Sequence, residues 1–302
     1  MNTSNHQEGL TQLSSANTAI TSKGLPYKYR RYLRVLIEWV VTLILGTIML
    51  FPIIWMIKSS FQPLKDLLTS PAIWFPKSLF LGNYIKVFQD SSVLLALKNS
   101  LIVSLASTFF STVVAIFAAY AFVRFRFRGR NALFVGILFT QMLPAIALVI
   151  PFYIIMRNLG IMHTRFGLVL AYISFTLPYT IWLLRAYMIG APWDLEDQAK
   201  VDGCTRMGAL FRVIIPTILP GLLTAFIYSF INAWNEFLFA LVLSGPESKT
   251  FTIRLSEYIN MERIAIESMF AAGVVGTIPA LILIIIFGRY MLGGLSSGAL
   301  KG

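Results

Sequence analysis

The polar side chains best suited to bind a solute lie together in one long apolar stretch. Asn232, Trp234, Asn235 and Glu236 fall within five residues of one another. If this stretch crosses a membrane, a carboxylate near its centre costs roughly 2.5 to 3.5 kcal/mol, so Glu236 should face protein or water. Two interpretations stay open. Either these groups line a solute path, with amides and carboxylate bonding hydroxyl groups beside the Trp234 ring, or they tie helices together.

Catalytic and metal chemistry find no support in the sequence. It shows no Ser/His/Asp, Cys/His or paired-carboxylate arrangement. The single cysteine, Cys204, excludes an internal disulfide and a Cys-rich zinc cluster, and the two histidines, His6 and His163, are far apart. The segment 245–250 superficially resembles a phosphate-binding loop, but Ser248 replaces the required glycine. We therefore predict no catalytic residue, no metal site and no cofactor bound by this chain.

A charged stretch at 192–221 interrupts the apolar sequence, and its pattern predicts two short helices that meet at a glycine. Asp194 is the predicted N-cap of the first helix, with Asp197 in place of the usual capping-box Glu. Asp202 and Gly203 are predicted to end this helix, because glycine adopts the left-handed conformation at no steric cost.

The second helix is predicted to begin at Thr205 and to stop at Pro216. Its apolar residues recur at the spacing of one helix face: Met207, Leu210, Phe211 and Ile214. Short amphipathic helices between spans often only lie in the headgroup plane, so periodicity alone does not assign a function.

The composition is that of a membrane protein. Of 302 residues, 57% are hydrophobic and 13% are charged, whereas soluble domains carry roughly 25% charged residues. The net charge of +12 could suggest nucleic acid as a partner. The basic residues, however, concentrate in short connectors beside apolar stretches, which is typical of the positive-inside rule, and we predict no nucleic-acid binding.

A membrane span needs about 20 apolar residues. Six stretches meet this requirement: 35–57, 97–123, 133–156, 166–189, 218–243 and 269–292. The connector 58–96 is too polar to cross and is predicted to be an ordered external loop. Prolines within the spans predict kinked helices around a cavity: Pro144, Pro151, Pro178 and Pro279.

The distribution of Lys and Arg predicts the topology. Four basic residues precede the first span, which places the N-terminus in the cytoplasm. Residues 1–31 are predicted to be a disordered cytoplasmic tail, 32–96 the first span with its external loop, and 97–292 a core domain. Six crossings bring 190–217 and a C-terminal tail at 293–302 to the cytoplasmic side.

The order of residue types in the charged stretch resembles the EAA loop of permeases from binding-protein-dependent ABC importers. Asp197, Gln198 and Ala199 occupy the name-giving positions, and Gly203 and Pro216 follow at matching spacing. In that family this loop couples the permease to a cytoplasmic ATPase. The resemblance implies a coupling loop at 190–217, with contacts from Asp194, Glu196, Asp197, Ala199, Asp202, Gly203, Met207, Leu210 and Phe211.

Further pieces resemble the shorter, six-span permease of the maltose type: Asn83-Tyr84, Asn99-Ser100-Leu101, 233–237 and the glycine-rich ending 293–302. The resemblance implies an all-α polytopic membrane protein of six transmembrane helices, the type I ABC importer transmembrane domain, in a bacterial inner membrane. It implies a sugar or oligosaccharide as cargo.

The partners implied by this resemblance are a second permease, a pair of cytoplasmic ABC ATPases that use ATP and Mg, and an extracytoplasmic solute-binding protein, all within membrane lipid. The chain itself would be a transport subunit and not an enzyme. Two alternatives stay open: an ABC permease for a polyamine, phosphate or amino acid, and a stand-alone secondary transporter.

Overall fold

The structure is a computed structural model that describes residues 27–71, 73–74, 78–259 and 265–299. All regular secondary structure in these ranges is helical. The α-helices are α1 Tyr27–Ser60, α2 Leu64–Leu67, α3 Gly82–Gln89, α4 Ser91–Arg124, α5 Arg130–Phe139, α6 Ala145–Asn158, α7 Arg165–Ile189, α8 Trp193–Val201, α9 Arg206–Ala209, α10 Ile215–Thr217, α11 Leu219–Trp234, α12 Leu238–Leu243, α13 Phe251–Ser256 and α14 Ile266–Ala299.

The chain divides into two compact units, residues 1–55 and residues 56–302. The first contains most of α1, which begins at Tyr27, inside the segment predicted as a tail. Residues 1–26 lie outside the described residues. At the other end of the chain, α14 continues to Ala299, so most of the segment predicted as a C-terminal tail is helical.

Four helices are long and apolar enough to cross a membrane: α1, α4, α7 and α14. Two bent pairs bring the number of candidate spans in the described residues to as many as six. The first pair joins Arg130–Met142 to Ala145–Asn158 at 99°, and the second joins Arg206–Thr217 to Leu219–Trp234 at 79°. An all-α polytopic architecture is confirmed.

The predicted third span is broken at Pro144. Pro144 stands directly before α6, and Leu143 before it is extended, with ψ 132°. This conformation follows from steric exclusion of the helical region for a residue that precedes proline. Pro151, Pro178 and Pro279, by contrast, lie inside continuous helices.

The predicted fifth span also differs from a single helix, because α11 ends at Trp234 and α12 begins at Leu238. The second span begins earlier than predicted. Asp90 caps α4 by accepting a hydrogen bond from the Ser92 amide at 2.9 Å, so the helix starts at Ser91.

Helices α4, α7 and α11 pack together through small polar side chains. Ser111 of α4 and Thr176 of α7 share a hydrogen bond of 2.7 Å, and Thr180 of α7 shares one of 2.6 Å with Ser229 of α11. Small residues allow helix backbones in a membrane to approach closely, and the shared hydrogen bonds satisfy their hydroxyls.

The N-terminal part of α4 holds the loop that follows α12. The Asn99 amide donates to the carbonyl oxygens of Glu247 (3.0 Å) and Lys249 (2.9 Å), and accepts from Arg165 at 2.7 Å. The Ser100 hydroxyl accepts from the Phe251 amide at 2.7 Å. The sequence 245–250 is therefore bound by other backbone and side-chain groups rather than forming a phosphate cradle.

Candidate functional site

The charged loop, residues 190–217, forms the two short helices that the sequence predicts. Helix α8 ends where Gly203 adopts φ +91°, in the left-handed region. The Thr205 hydroxyl caps α9 by accepting from the Gly208 amide at 3.0 Å. A π-helical turn at Leu210–Ile214 follows, and α10 leads to the bend before α11.

Two details of the predicted loop are wrong. The N-cap of α8 is Pro192, with no side-chain cap, and Asp194 lies inside the first turn. Pro216 does not stop the second helix, because it occupies the first turn of α10, where the missing N–H of proline needs no helical partner.

Glu196 is fully buried beneath α8. Its Oε1 accepts from the Tyr120 hydroxyl at 3.0 Å and from Arg124 Nε at 3.3 Å, and the Lys200 ammonium forms a further ion pair with it. The ring of Trp193 lies beneath the Arg124 guanidinium, 5.4 Å from Cζ. In this structure Glu196, a predicted contact for a partner, instead joins α8 to the C-terminal end of α4.

Asp197, the next residue, points outward, and its side chain is 57% exposed. It forms ion pairs with Arg124 and, at 3.2 Å, with Lys200. The hydrogen bond from Lys200 and the charge of Arg124 hold the pKa of Asp197 below its ordinary value. Asp197 is therefore an acid that is ionised at neutral pH, on the open side of the loop.

The predicted apolar face of the second helix is divided between two environments. Leu210 and Ile214 are fully buried in a core cluster that includes Tyr120 and Leu184. The remaining predicted contacts of the loop are exposed or half-buried: Asp194, Ala199, Asp202, Gly203, Met207 (49% exposed) and Phe211 (53% exposed). Leu210 is thus part of the core, and the other residues form the accessible surface of the loop.

A cavity of about 640 Å³ lies beside α7, between the bent α5 and α6 pair and the end of α11. Three aromatic rings contribute to its wall: Phe152, Phe175 and Phe239. The Phe239 ring packs on both others, with its centroid 5.3 Å from that of Phe152 and 5.6 Å from that of Phe175. Five lining residues carry polar groups: Thr140, Gln141, Ser174, Asn232 and Glu236. The fifteen residues that line this cavity include no Lys, Arg or His.

The structure brings Asn232 and Glu236 to this cavity, and Trp234 and Asn235 are not among its lining residues. Trp234 is buried, donates its indole N–H to the Gly276 carbonyl at 3.1 Å and stacks on Phe230. A buried indole needs such a partner for its N–H, so the prediction that Trp234 offers its face to a solute is wrong in this structure.

Glu236 also has a structural task. Its two carboxylate oxygens accept from the backbone amides of Phe239 (2.8 Å) and Ala240 (3.0 Å), in the first turn of α12. These bonds satisfy N–H groups that a helix start leaves without partners and place the negative charge at the positive end of the helix dipole. Glu236 therefore borders the cavity and also caps the start of α12.

Several residues of both sites are not predicted from the sequence. Tyr120, Arg124 and Lys200 surround Glu196, and the first two lie more than 70 residues away from it in the chain. Tyr179 and Tyr228 stack at 4.0 Å in the wall of a separate recess of about 90 Å³, which shares Gln141 and Asn232 with the cavity. Gln141, a lone amide in an apolar stretch, joins Asn232 and Glu236 as a lining group that the sequence indicates.

Comparison with known proteins gives consistent matches over most of the chain. The family model described as binding-protein-dependent transport system inner membrane component matches residues 111–295. The sulfoquinovosyl glycerol transport system permease protein SmoH of Agrobacterium fabrum is 37% identical over 254 residues, 84% of this chain and 89% of that protein. The trehalose transport system permease protein SugB of Mycobacterium tuberculosis is 36% identical over 264 residues, 86% and 95% of the two chains.

The fold is also similar to a chain in the crystal structure of a bacterial ABC transporter that imports the acidic polysaccharide alginate. The TM-score is 0.75 at 23% identity, with 89% of this chain and 99% of that chain covered. A second structure of an alginate transporter, in complex with an alginate pentasaccharide-bound periplasmic protein, matches with a TM-score of 0.64 at 16% identity, over 87% and 96% of the two chains.

Proposed function

This chain belongs to the inner membrane components of binding-protein-dependent transport systems, and from that premise we propose that it is the permease through which an uncharged sugar or oligosaccharide enters the cell. It is a multi-pass membrane protein and a transport subunit. Several of its relatives are sugar permeases by name. Their substrates differ, so the class of solute must be argued from this chain's own cavity.

The lining of the 640 Å³ cavity carries the proposal. Sugar rings offer C–H faces that pack on aromatic side chains and hydroxyls that need hydrogen-bonding groups. Phe152, Phe175 and Phe239 supply the apolar wall, while Gln141 and Asn232 supply amides. Such a combination of apolar walls and few convergent polar groups is typical of small-molecule sites.

The charge of the lining distinguishes uncharged cargo from anionic cargo. Glu236 is the one ionisable residue among the fifteen that line the cavity. An anionic solute such as phosphate would meet this carboxylate without any lining cation to offset its desolvation. The proposal therefore favours neutral sugars over phosphate and over acidic sugars.

Transport assays on the whole importer test this assignment. The importer would be reconstituted in vesicles with its binding protein, and ATP-driven uptake of radiolabelled neutral disaccharides would be compared with uptake of uronate oligosaccharides and phosphate. Uptake of a neutral sugar alone supports the proposal. ATP-driven uptake confined to acidic solutes would contradict the solute class, and uptake without ATP would favour a secondary transporter.

We also infer that the charged loop docks on a cytoplasmic ATPase pair that uses ATP and Mg. A groove on its open side is lined by three acidic residues, Asp194, Asp197 and Asp202, and Met207 and Phe211 are exposed nearby. Acidic and apolar groups on a short helix suit a cleft with basic and apolar walls. The same assembly would include a second permease and an external binding protein, with both termini of this chain in the cytoplasm.

Replacement of Gly203 tests the docking surface. Gly203→Pro is incompatible with φ +91°, because proline fixes φ near −65°. We expect the variant to insert in membranes but to lose the ATPase on co-purification. Gly190→Ala is the matched control, since Gly190 has an ordinary helical φ of −81° and room for a Cβ. Loss of the ATPase from both variants, or from neither, would contradict the inference.

A further inference from the structure

We propose that Glu196 is an internal latch that makes α8 move as one body with α4, which leaves Asp197 beside it, already inferred to line the docking groove, as the acid that meets the ATPase. This inference rests on the proposed function of the charged loop. It assigns different tasks to two adjacent acids that the sequence presents as equivalent.

Burial separates the two acids. Glu196 is fully buried, while the Asp197 side chain is 57% exposed. A buried carboxylate is retained only when it is paired, and Glu196 is paired from both sides of the junction. Tyr120 and Arg124 reach it from α4, and Lys200 reaches it from α8 itself. A partner approaching from outside therefore meets Asp197 first.

The cations at this junction serve both acids. Arg124 and Lys200 each contact Glu196 and Asp197. When a basic group of the ATPase approaches Asp197, it competes with Arg124 and Lys200 for that carboxylate and leaves their contacts with Glu196 in place. Docking would therefore preserve the latch, so that force applied to α8 reaches α4.

Apolar packing makes the junction stiff. Leu210 and Ile214, on the other side of the charged loop, pack in the same core cluster as Tyr120. The ring of Trp193 lies 6.2 Å from that of Tyr120, centroid to centroid. Close-packed side chains transmit displacement because they cannot be compressed. From this junction α4 runs back to its own N-terminal part, where Asn99 holds the 245–250 loop.

Glu196→Gln is a clean test because of the geometry at 196. Oε1 receives the hydrogen bonds, whereas Oε2 has no partner in the described part of the chain. A glutamine keeps the shape and one acceptor but removes the charge that holds Arg124 and Lys200. The matched controls are Asp197→Asn, the neighbouring acid, and Glu247→Gln, an exposed acid outside the charged loop.

The assembled importer in lipid nanodiscs would be assayed for bound ATPase and for ATP hydrolysis with and without solute-loaded binding protein. We expect Glu196→Gln to retain the ATPase and its basal rate of ATP hydrolysis. The stimulation of this rate by solute-loaded binding protein should fall roughly tenfold, a typical allosteric factor. Asp197→Asn should lose bound ATPase instead, and Glu247→Gln should behave like wild type in both assays. Loss of bound ATPase from Glu196→Gln would overturn the latch, because it would make Glu196 a docking contact.

A distance measurement separates transmission from simple folding defects. Arg126→Cys, just beyond α4, and the native Cys204 of the charged loop would carry spin labels. We expect one narrow distance in wild type, unchanged by ATP, and a broadened, ATP-dependent distance in Glu196→Gln. A wild-type distance that shifts with ATP, or a variant distance that stays narrow, would overturn the proposal. A wild-type preparation with no ATPase at all would contradict the proposed function, and the transmission role with it.

Discussion

Glu196, which is fully buried, and Glu236, which is half-buried, show how differently two carboxylates can be satisfied. One accepts through a single oxygen from side chains of two helices, and the other accepts through both oxygens from backbone amides of one helix. The same substitution by glutamine therefore has different consequences. At 196 the new amide nitrogen replaces an oxygen without a partner and becomes a buried donor, whereas at 236 it must also face a backbone N–H.

We expect Glu236→Gln to lower the melting temperature of the solubilised protein. Its amide nitrogen would stand opposite the N–H of Phe239 or Ala240, so one of the two hydrogen bonds to the carboxylate would be lost. A hydrogen bond to a charged group contributes about 1.5 to 3 kcal/mol. Fluorescence-monitored thermal unfolding would measure the shift. An unchanged melting temperature would show that Glu236 does not hold the start of α12.

Asn232→Ala should weaken solute uptake without lowering the melting temperature. Asn232 is exposed, and its amide donates to the Tyr228 carbonyl in its own helix at 2.8 Å, so its loss should leave stability unchanged. Loss of one hydrogen bond to a solute costs about 1 kcal/mol, which corresponds to roughly fivefold in half-saturating solute concentration. Uptake kinetics would test this, and an unchanged half-saturation would remove Asn232 from the solute path.

A second charged cluster involves Asp90, Lys249, Arg254 and Glu257, near the N-terminal end of α4. Arg254 contacts Asp90 at 2.7 Å and Glu257 at 2.8 Å. Partial burial raises the pKa of both acids, but hydrogen bonds lower it by more. Asp90 accepts from Ser92 and Arg254, and Glu257 accepts from Lys249 and Arg254. Both pKa values lie below the ordinary 3.8 and 4.5.

This cluster predicts how stability depends on pH. Because the folded pKa values are lowered, the cluster contributes fully above about pH 4.5, and its contribution is lost as pH falls through the lowered values. This cluster should therefore not alter the melting temperature between about pH 7 and pH 5. Arg254→Met should reduce the acid-induced loss relative to wild type, whereas Arg126→Met, an exposed control, should not. Identical acid profiles in wild type and Arg254→Met would contradict this assignment.

At the scale of elements, the α7 and α11 contact depends on the absence of a side chain. A Cβ on Gly221 of α11 would overlap the ring of Tyr187 of α7. We expect Gly221→Ala to destabilise the protein by about 1 to 3 kcal/mol, the typical cost of overpacking. Thermal unfolding in detergent would measure the effect.

Gly136→Ala provides the control for this prediction. Gly136 lies inside α5 and would place its Cβ where no atom lies within 4 Å. Alanine is favoured over glycine in a helix by about 1 kcal/mol, so this variant should be as stable as wild type or more so. Equal losses in both variants would contradict the close contact at Gly221.

The helices themselves could largely be predicted, because the thickness of the hydrocarbon sets the length of apolar runs. The break at Pro144 follows from a local rule, but the break after Trp234 does not. No proline or glycine lies between Trp234 and Leu238, and the start of α12 is held by Glu236. A prediction from hydrophobicity alone therefore gives one continuous span at 218–243 and misses this break.

At the scale of the whole molecule, the features that the sequence did not predict depend on contacts between residues far apart in the chain. Glu196 and Asp197 are adjacent acids, and only the position of Tyr120 and Arg124 determines which is buried. Likewise Trp234 turns from the cavity because Gly276, 42 residues later, offers its carbonyl. Local spacing correctly predicts Gly203 and Thr205 because their tasks are local.

The length of α4 has a consequence for the lipid that surrounds the protein. From Asn99 to Arg124 the helix rises about 37 Å, more than the roughly 30 Å of hydrocarbon. A helix of this length that stands near the membrane normal would place its attachments at both ends in the headgroup layers, outside the hydrocarbon. ATP-driven uptake should then change little when vesicles are made from lipids with moderately longer or shorter acyl chains, so that one importer would serve membranes of differing thickness.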